Sequence, residues 1–188
     1  MKRFAAGVSS LLILLSCSSN KPETVCVLQT NYGTMAFRFF EQEAPKACAR
    51  FKAMADSGFY NGNEFYRVVS GHVIQAGQAT EPIGAEFSTR KHLFGTVGIA
   101  RSSDPNSGSS VFYICLAPRP HLDGKYTVIG QLVEGEDILR IIGGVEVEER
   151  YMGEVAFHKP KKPVLIERAY TETRMLAPWK EPAGQSGS

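Results

Sequence analysis

Apolar and polar positions change rhythm many times along this chain. Val25 to Gln29 is an apolar run that reads as a strand. Asn31-Tyr32-Gly33 has turn chemistry, and Met35 to Phe40 is mostly apolar and aromatic with Arg38 inside it, so the pair reads as a hairpin. From Ala44 to Ser57, Phe51, Met54 and neighbouring alanines fall at helical spacing. Pro45 suits the first turn and Gly58 is a stop. Short apolar runs follow at Glu64–Val69, Val73–Gln75, Val97–Ala100, Val111–Leu116 and Thr127–Leu132, separated by Gly, Pro, Ser and Asn. Glu136 to Ile142 predicts a second, short helix. In Val164 to Thr171 the residues Val164, Ile166 and Arg168 alternate with Leu165, Glu167 and Ala169, as a last strand requires. Many short strands with two helices predict a mainly β domain over 24–172: a closed antiparallel barrel with helices plugging its ends.

Both ends of the chain differ from this middle. Lys2 and Arg3 precede a short apolar run from Phe4 to Leu15, too short for a mature membrane span of about 20 residues. The run ends in Leu14-Leu15-Ser16-Cys17, similar to the bacterial lipoprotein processing box. Residues 1–16 are therefore expected to be a signal, with Cys17 lipidated and 17–23 a tether. The alternative is an ordinary secretory signal with Cys17 incidental. Ser18 after the cysteine favours the periplasmic side of an outer membrane over inner-membrane retention. Residues 173–188, rich in Pro, Gly and Ser towards the end, are expected to form a loose tail.

With 188 residues there is enough chain for one sizeable core, and 43% hydrophobic content fits a globular protein. A net charge of +2 gives no reason to expect a nucleic-acid partner. Cys26, Cys48 and Cys115 are an odd number, so they are no complete disulfide framework. Free buried thiols are the expectation, with a Cys26–Cys48 bridge left open.

The candidate chemistry lies in Phe65-Tyr66-Arg67-Val68-Val69-Ser70-Gly71-His72-Val73-Ile74-Gln75-Ala76-Gly77, which sets an arginine and a glutamine on neighbouring extended segments. Later come Gly95-Thr96-Val97-Gly98-Ile99-Ala100-Arg101, Asp104-Pro105-Asn106-Ser107, Ser110-Val111-Phe112-Tyr113-Ile114, His121-Leu122-Asp123-Gly124-Lys125-Tyr126 and Val128-Ile129-Gly130. In this order the segments resemble the cyclophilin family of peptidyl-prolyl cis-trans isomerases. The resemblance covers roughly Val25 to Thr171. It implies an eight-stranded antiparallel barrel capped by two helices, no cofactor and no metal. It also implies a monomer acting on Pro-containing protein segments.

Rotation about a bond before proline faces a barrier of about 18–20 kcal/mol. Its catalyst needs no nucleophile. It needs a fixed donor that favours the twisted amide, whose nitrogen regains a lone pair. The resemblance makes Arg67 that donor and gives Gln75 the role of orienting it and touching the substrate backbone. It makes His72, Val73, Tyr113 and Leu122 the proline pocket, with Ala100 and Arg101 along the groove and Tyr126 at the rim. Strand alternation puts Val111 on the same face as Tyr113, with Phe112 turned inward.

The pocket departs from the family pattern in several places. His72-Val73 stands where Phe-Met is usual, and Val111 replaces a glutamine and its hydrogen bond. His121 replaces the tryptophan of cyclosporin-sensitive members, so weak cyclosporin binding is expected. These departures keep a second function open: a binding module or chaperone for Pro-containing segments with little turnover.

Other chemistries lack their patterns. His72, His92, His121 and His158 have no close-spaced Cys or His ligand pair among them. There is no Gly-x-Ser-x-Gly elbow and no phosphate loop. The expected protein is an envelope isomerase tied to a membrane through Cys17.

Overall fold

In the computed structural model, residues 19–152 and 155–180 are described. The proposed signal, Cys17, and the end of the chain from 181 lie outside them. Ten strands and two helices follow in the order β1 (Lys21–Thr30), β2 (Gly33–Phe39), α1 (Pro45–Asp56), β3 (Arg67–Val69), β4 (Val73–Ala76), β5 (Thr96–Ile99), β6 (Phe112–Cys115), β7 (Val128–Glu134), α2 (Glu136–Gly143), β8 (Val147–Met152), β9 (Val155–Pro160) and β10 (Ile166–Leu176).

Eight strands make one antiparallel sheet in the order β10-β1-β2-β7-β5-β6-β4-β3, and β8 pairs with β9 alone. The closed barrel expected from the sequence does not form. No ladder joins the edge strands β3 and β10, so the sheet is open. The cause is local. β3 is three residues long, and the chain before it meets the start of β10 only in the isolated bridge of Glu64 with Leu165 and the backbone hydrogen bonds beside it, such as Ile166 N–H to Asn63 O at 2.8 Å, not in a ladder. The sheet curls enough for Phe65 N–H to donate to Val164 O at 2.8 Å, but it is not sealed.

The first hairpin forms as its turn chemistry predicts, with Cys26 opposite Phe37 and Thr30 opposite Gly33. Its strands are buried on both faces. Cys26, Leu28, Met35 and Phe37 enter the main core, while Val25, Val27 and Ala36 pack behind. β1 begins at Lys21 and β10 runs to Leu176, extending the sheet into the stretches expected as tether and tail.

Helix α1 has Pro45 in its first turn and ends at Gly58, whose φ of 78° suits glycine. It presents Ala47, Cys48, Phe51 and Ala55 to the sheet. Phe51 stacks on Tyr60 at 4.7 Å and meets Phe37 and Phe112 edge-on at 5.4 and 5.1 Å. Burial of each such ring contributes about 1.5–3 kcal/mol. This aromatic nucleus backs the strands that carry the site, because Phe112, Ile74 and Val68 point into it.

Cys26, Cys48 and Cys115 are free and buried, with no Cys26–Cys48 bridge. Burial pushes the Cys48 and Cys115 thiols up to about 12, so neither is a nucleophile at neutral pH. Among the described residues no helix is long and apolar enough to cross a membrane.

Candidate functional site

A tight turn through Gly71, with φ of 65°, joins β3 to β4 and sets Arg67 opposite Gln75 and Val69 opposite Val73. Residues paired this way share a face. The next ladders continue the row: Gln75 lies opposite Tyr113 on β6, and Tyr113 opposite Gly98 on β5. Alternation sends Val68, Ile74 and Phe112 into the core. It leaves Arg67, Gln75, Val73 and Tyr113 on the outer face, where a cavity of about 230 Å³ opens. Its wall comprises Arg67, His72, Val73, Gln75, Ala100, Arg101, Tyr113, Leu122 and Tyr126.

Arg67 is held on its face of the sheet. Its Nη1 donates to Gln75 Oε1 at 3.2 Å, and Gln75 Nε2 donates to the Tyr66 hydroxyl at 2.7 Å. Burial pushes the guanidinium pKa down, and the same cause raises Tyr66. The aliphatic part of the cup is Val73, Ala100 and Leu122, packed with the Tyr113 and Tyr126 rings. Leu122 reaches it from a short 3-10 turn, Pro120–Leu122.

Arg101 lies along one side, its Cζ 4.4 Å from the centre of the Tyr126 ring. Its Nε donates to Lys125 O at 3.0 Å and its Nη1 to Ser102 O at 2.9 Å. His72 stacks on His121 at 5.8 Å at the mouth. Burial lowers the His72 pKa, and Arg119, Arg67 and His121 lower it further.

Two residues expected to contact substrate, His121 and Val111, are not among the residues lining this cavity. His121 is exposed and stacks on His72. Val111 lies outside the wall. It immediately precedes β6, which begins at Phe112. Val111 instead bonds its carbonyl to Ala100 N–H at 2.9 Å.

Sequence reasoning missed the support beneath Tyr113. His92 is 1% exposed. Its Nε2 is 2.8 Å from the Tyr113 hydroxyl and its Nδ1 is 2.9 Å from Asp123 Oδ1. Asp123 also accepts from the His92 backbone N–H at 2.8 Å and pairs with Lys91 at 3.3 Å. Burial lowers the His92 pKa against the opposing pull of Asp123. Burial pushes the Asp123 carboxyl up, yet the His92 and Lys91 hydrogen bonds outweigh it and hold the carboxyl below its ordinary value. Gly98 makes the room: a Cβ there would overlap the Tyr113 hydroxyl. The available signal was a phenol at 113 facing a glycine strand neighbour, with a histidine directly before the apolar pair Leu93-Phe94.

The wall thus combines a positioned guanidinium with a cup sized for a small ring, and holds no nucleophile–base pair. It can bind a short apolar group and polarise an amide. The comparisons agree. The model of the family "Cyclophilin type peptidyl-prolyl cis-trans isomerase/CLD" matches residues 25–171. A peptidyl-prolyl cis-trans isomerase of Synechococcus elongatus is 34% identical over 137 residues, covering 69% of this chain and 93% of that protein. A probable isomerase of Brucella abortus is 34% identical over 154 residues, 71% of this chain and 79% of its own. Among solved structures, a Cryptosporidium parvum cyclophilin-type isomerase crystallised in the presence of the dipeptide Ala-Pro superposes with a TM-score of 0.71. It is 26% identical and covers 80% of this chain and 99% of its own. This chain belongs to the cyclophilin-type peptidyl-prolyl cis-trans isomerases. Its enzymatic activity is isomerisation of the bond preceding proline.

Proposed function

We propose that the Arg67 pocket is where this isomerisation takes place. The proline ring enters the cup of Val73, Leu122, Tyr113 and Ala100, and Arg67 donates to the prolyl nitrogen as the amide twists. The observation that carries this is the Arg67–Gln75–Tyr66 chain of hydrogen bonds, which holds a partly desolvated guanidinium beside that cup. A donor fixed before the reaction favours the twisted state without reorganising. One charged hydrogen bond supplies only about 1.5–3 kcal/mol. A millionfold acceleration needs about 8 kcal/mol, so shape and exclusion of water supply the remainder.

The substrates are Pro-containing segments of unfolded or newly exported envelope proteins, and the chain acts as a monomer. Cys17 is lipidated and holds it at the cell envelope, on the periplasmic side of an outer membrane where there is one. The N-terminal sequence supports this placement. Mass spectrometry of membrane-extracted protein tests it, and an unmodified N-terminal segment contradicts it.

Cyclosporin binds weakly, because His121 offers an exposed imidazole where sensitive relatives present an indole. A nanomolar dissociation constant contradicts this. The second reading, a Pro-segment binding module with little turnover, is favoured by the absence of Val111 from the wall and by the polar His72. Exchange spectroscopy on an Ala-Pro peptide separates the two. Acceleration that vanishes in Arg67→Ala supports the enzyme, and binding without acceleration supports the module.

A further inference from the structure

Cations surround the pocket and no carboxylate lines it. Arg67 and Arg101 are both in the wall. The His72–His121 stack stands at its mouth, and the Lys125 ammonium donates to His121 O at 3.1 Å. Arg119 is close enough to His72 to oppose its protonation. The nearby carboxylate, Asp123, is already taken by His92 and Lys91.

These cations spend their donors on neutral atoms. Arg67 donates to Gln75 Oε1, Arg101 to the Lys125 and Ser102 carbonyls, and Lys125 to the His121 carbonyl. Several cations elsewhere pair with carboxylates instead. Arg90 pairs with Glu43, Lys52 with Glu41, Lys159 with Glu64, and Arg174 with Glu134 and Glu172. The chain as a whole carries only +2, so the excess at the pocket is local and not a reflection of overall charge. A concave site lined by one sign of charge with partly apolar walls concentrates its field and favours a ligand of the opposite sign.

We propose that the pocket selects Pro-containing segments that carry an acidic side chain within a residue or two of the proline. The carboxylate would lie along Arg101 and Lys125 while the ring occupies the cup. This rests on the Arg67 pocket being the site of isomerisation.

The test uses the full chain and peptides of the form Ala-Xaa-Pro-Phe and Ala-Ala-Pro-Xaa, with Xaa as Glu, Ala or Lys. Both kcat/KM, from exchange spectroscopy, and Kd, from titration, are measured. In at least one series the Glu peptide should exceed the Lys peptide by about 10-fold in dilute buffer. The ratio should shrink towards one in about 1 M salt, where screening is nearly complete. The double reversal Arg101→Glu with Lys125→Glu should invert the order. Equal values for Glu and Lys in both series, or faster turnover of Lys, overturn the proposal. Failure to accelerate any peptide, the Ala peptides included, is a separate result that counts against the isomerisation site. Tighter binding of Glu than Lys would then still support charge selection.

Discussion

The Tyr113 hydroxyl lies 2.8 Å from His92 Nε2, and His92 is not among the residues lining the cavity. The phenol therefore offers the pocket its ring while its polar end is satisfied below, in a chain that ends at Asp123. Tyr113 is 4% exposed, and burial pushes its pKa well up, so it is a neutral donor or acceptor throughout the physiological range. A polar network serves stability only when every member is satisfied.

Tyr113→Phe removes one partner and leaves the buried His92 Nε2 unpaired. The expected cost is about 1–3 kcal/mol of unfolding free energy, read by urea denaturation. His92→Leu should cost less in the Tyr113→Phe background than in the native one, since no hydroxyl is then orphaned. Strictly additive losses in this double-mutant cycle would show that the two groups are not coupled.

Gly98 is the spatial counterpart of that hydroxyl. A Cβ at this position would overlap both the Tyr113 Cζ and its hydroxyl oxygen. Gly98→Ala should cost about 1–3 kcal/mol through overpacking. It should also lower kcat/KM, because the ring can yield only towards the cavity. Unchanged stability and turnover would mean the strand moves aside freely.

Acid should weaken the fold before Asp123 titrates. Burial depresses the folded pKa of His92 below the ordinary 6.5, and His72 shifts the same way. The unfolded chain then binds protons first. The stability these groups contribute is complete above about 6.5 and falls as pH drops from there towards their folded pKa values. Asp123 is also depressed, so its contribution holds above 3.8 and is lost only at lower pH. Tyr113 is raised, so its contribution is lost as pH climbs above 10. Thermal melting against pH should show a fall between about 7 and 5 that is smaller in His92→Leu. A flat profile across that window would contradict the assignment.

Much of this was legible beforehand, for identifiable reasons. Strong periodicity placed α1 with Pro45 at its start, and Asn31-Tyr32-Gly33 placed the first hairpin. Arg67 and Gln75 could be set side by side because a short turn through Gly71 leaves one register. Closure was not legible. Strand number alone does not say whether edges meet, and here a three-residue β3 prevents a ladder. Val111 is absent from the cavity wall, and β6 begins one residue after it. The His92–Asp123 pair was missed because its members are 31 residues apart and only the folded sheet brings them under Tyr113. The β8–β9 hairpin was also not anticipated, since its charge-rich stretch lacks an apolar rhythm.

In the proposed mechanism the guanidinium of Arg67, and not the cup alone, accelerates rotation. Two-dimensional exchange spectroscopy on an Ala-Pro peptide, with native protein and with Arg67→Ala, measures this directly. Loss of one transition-state hydrogen bond worth about 3 kcal/mol lowers kcat/KM by about 100-fold, while peptide binding persists. Exchange in Arg67→Ala as fast as in the native protein would rule out this role for Arg67.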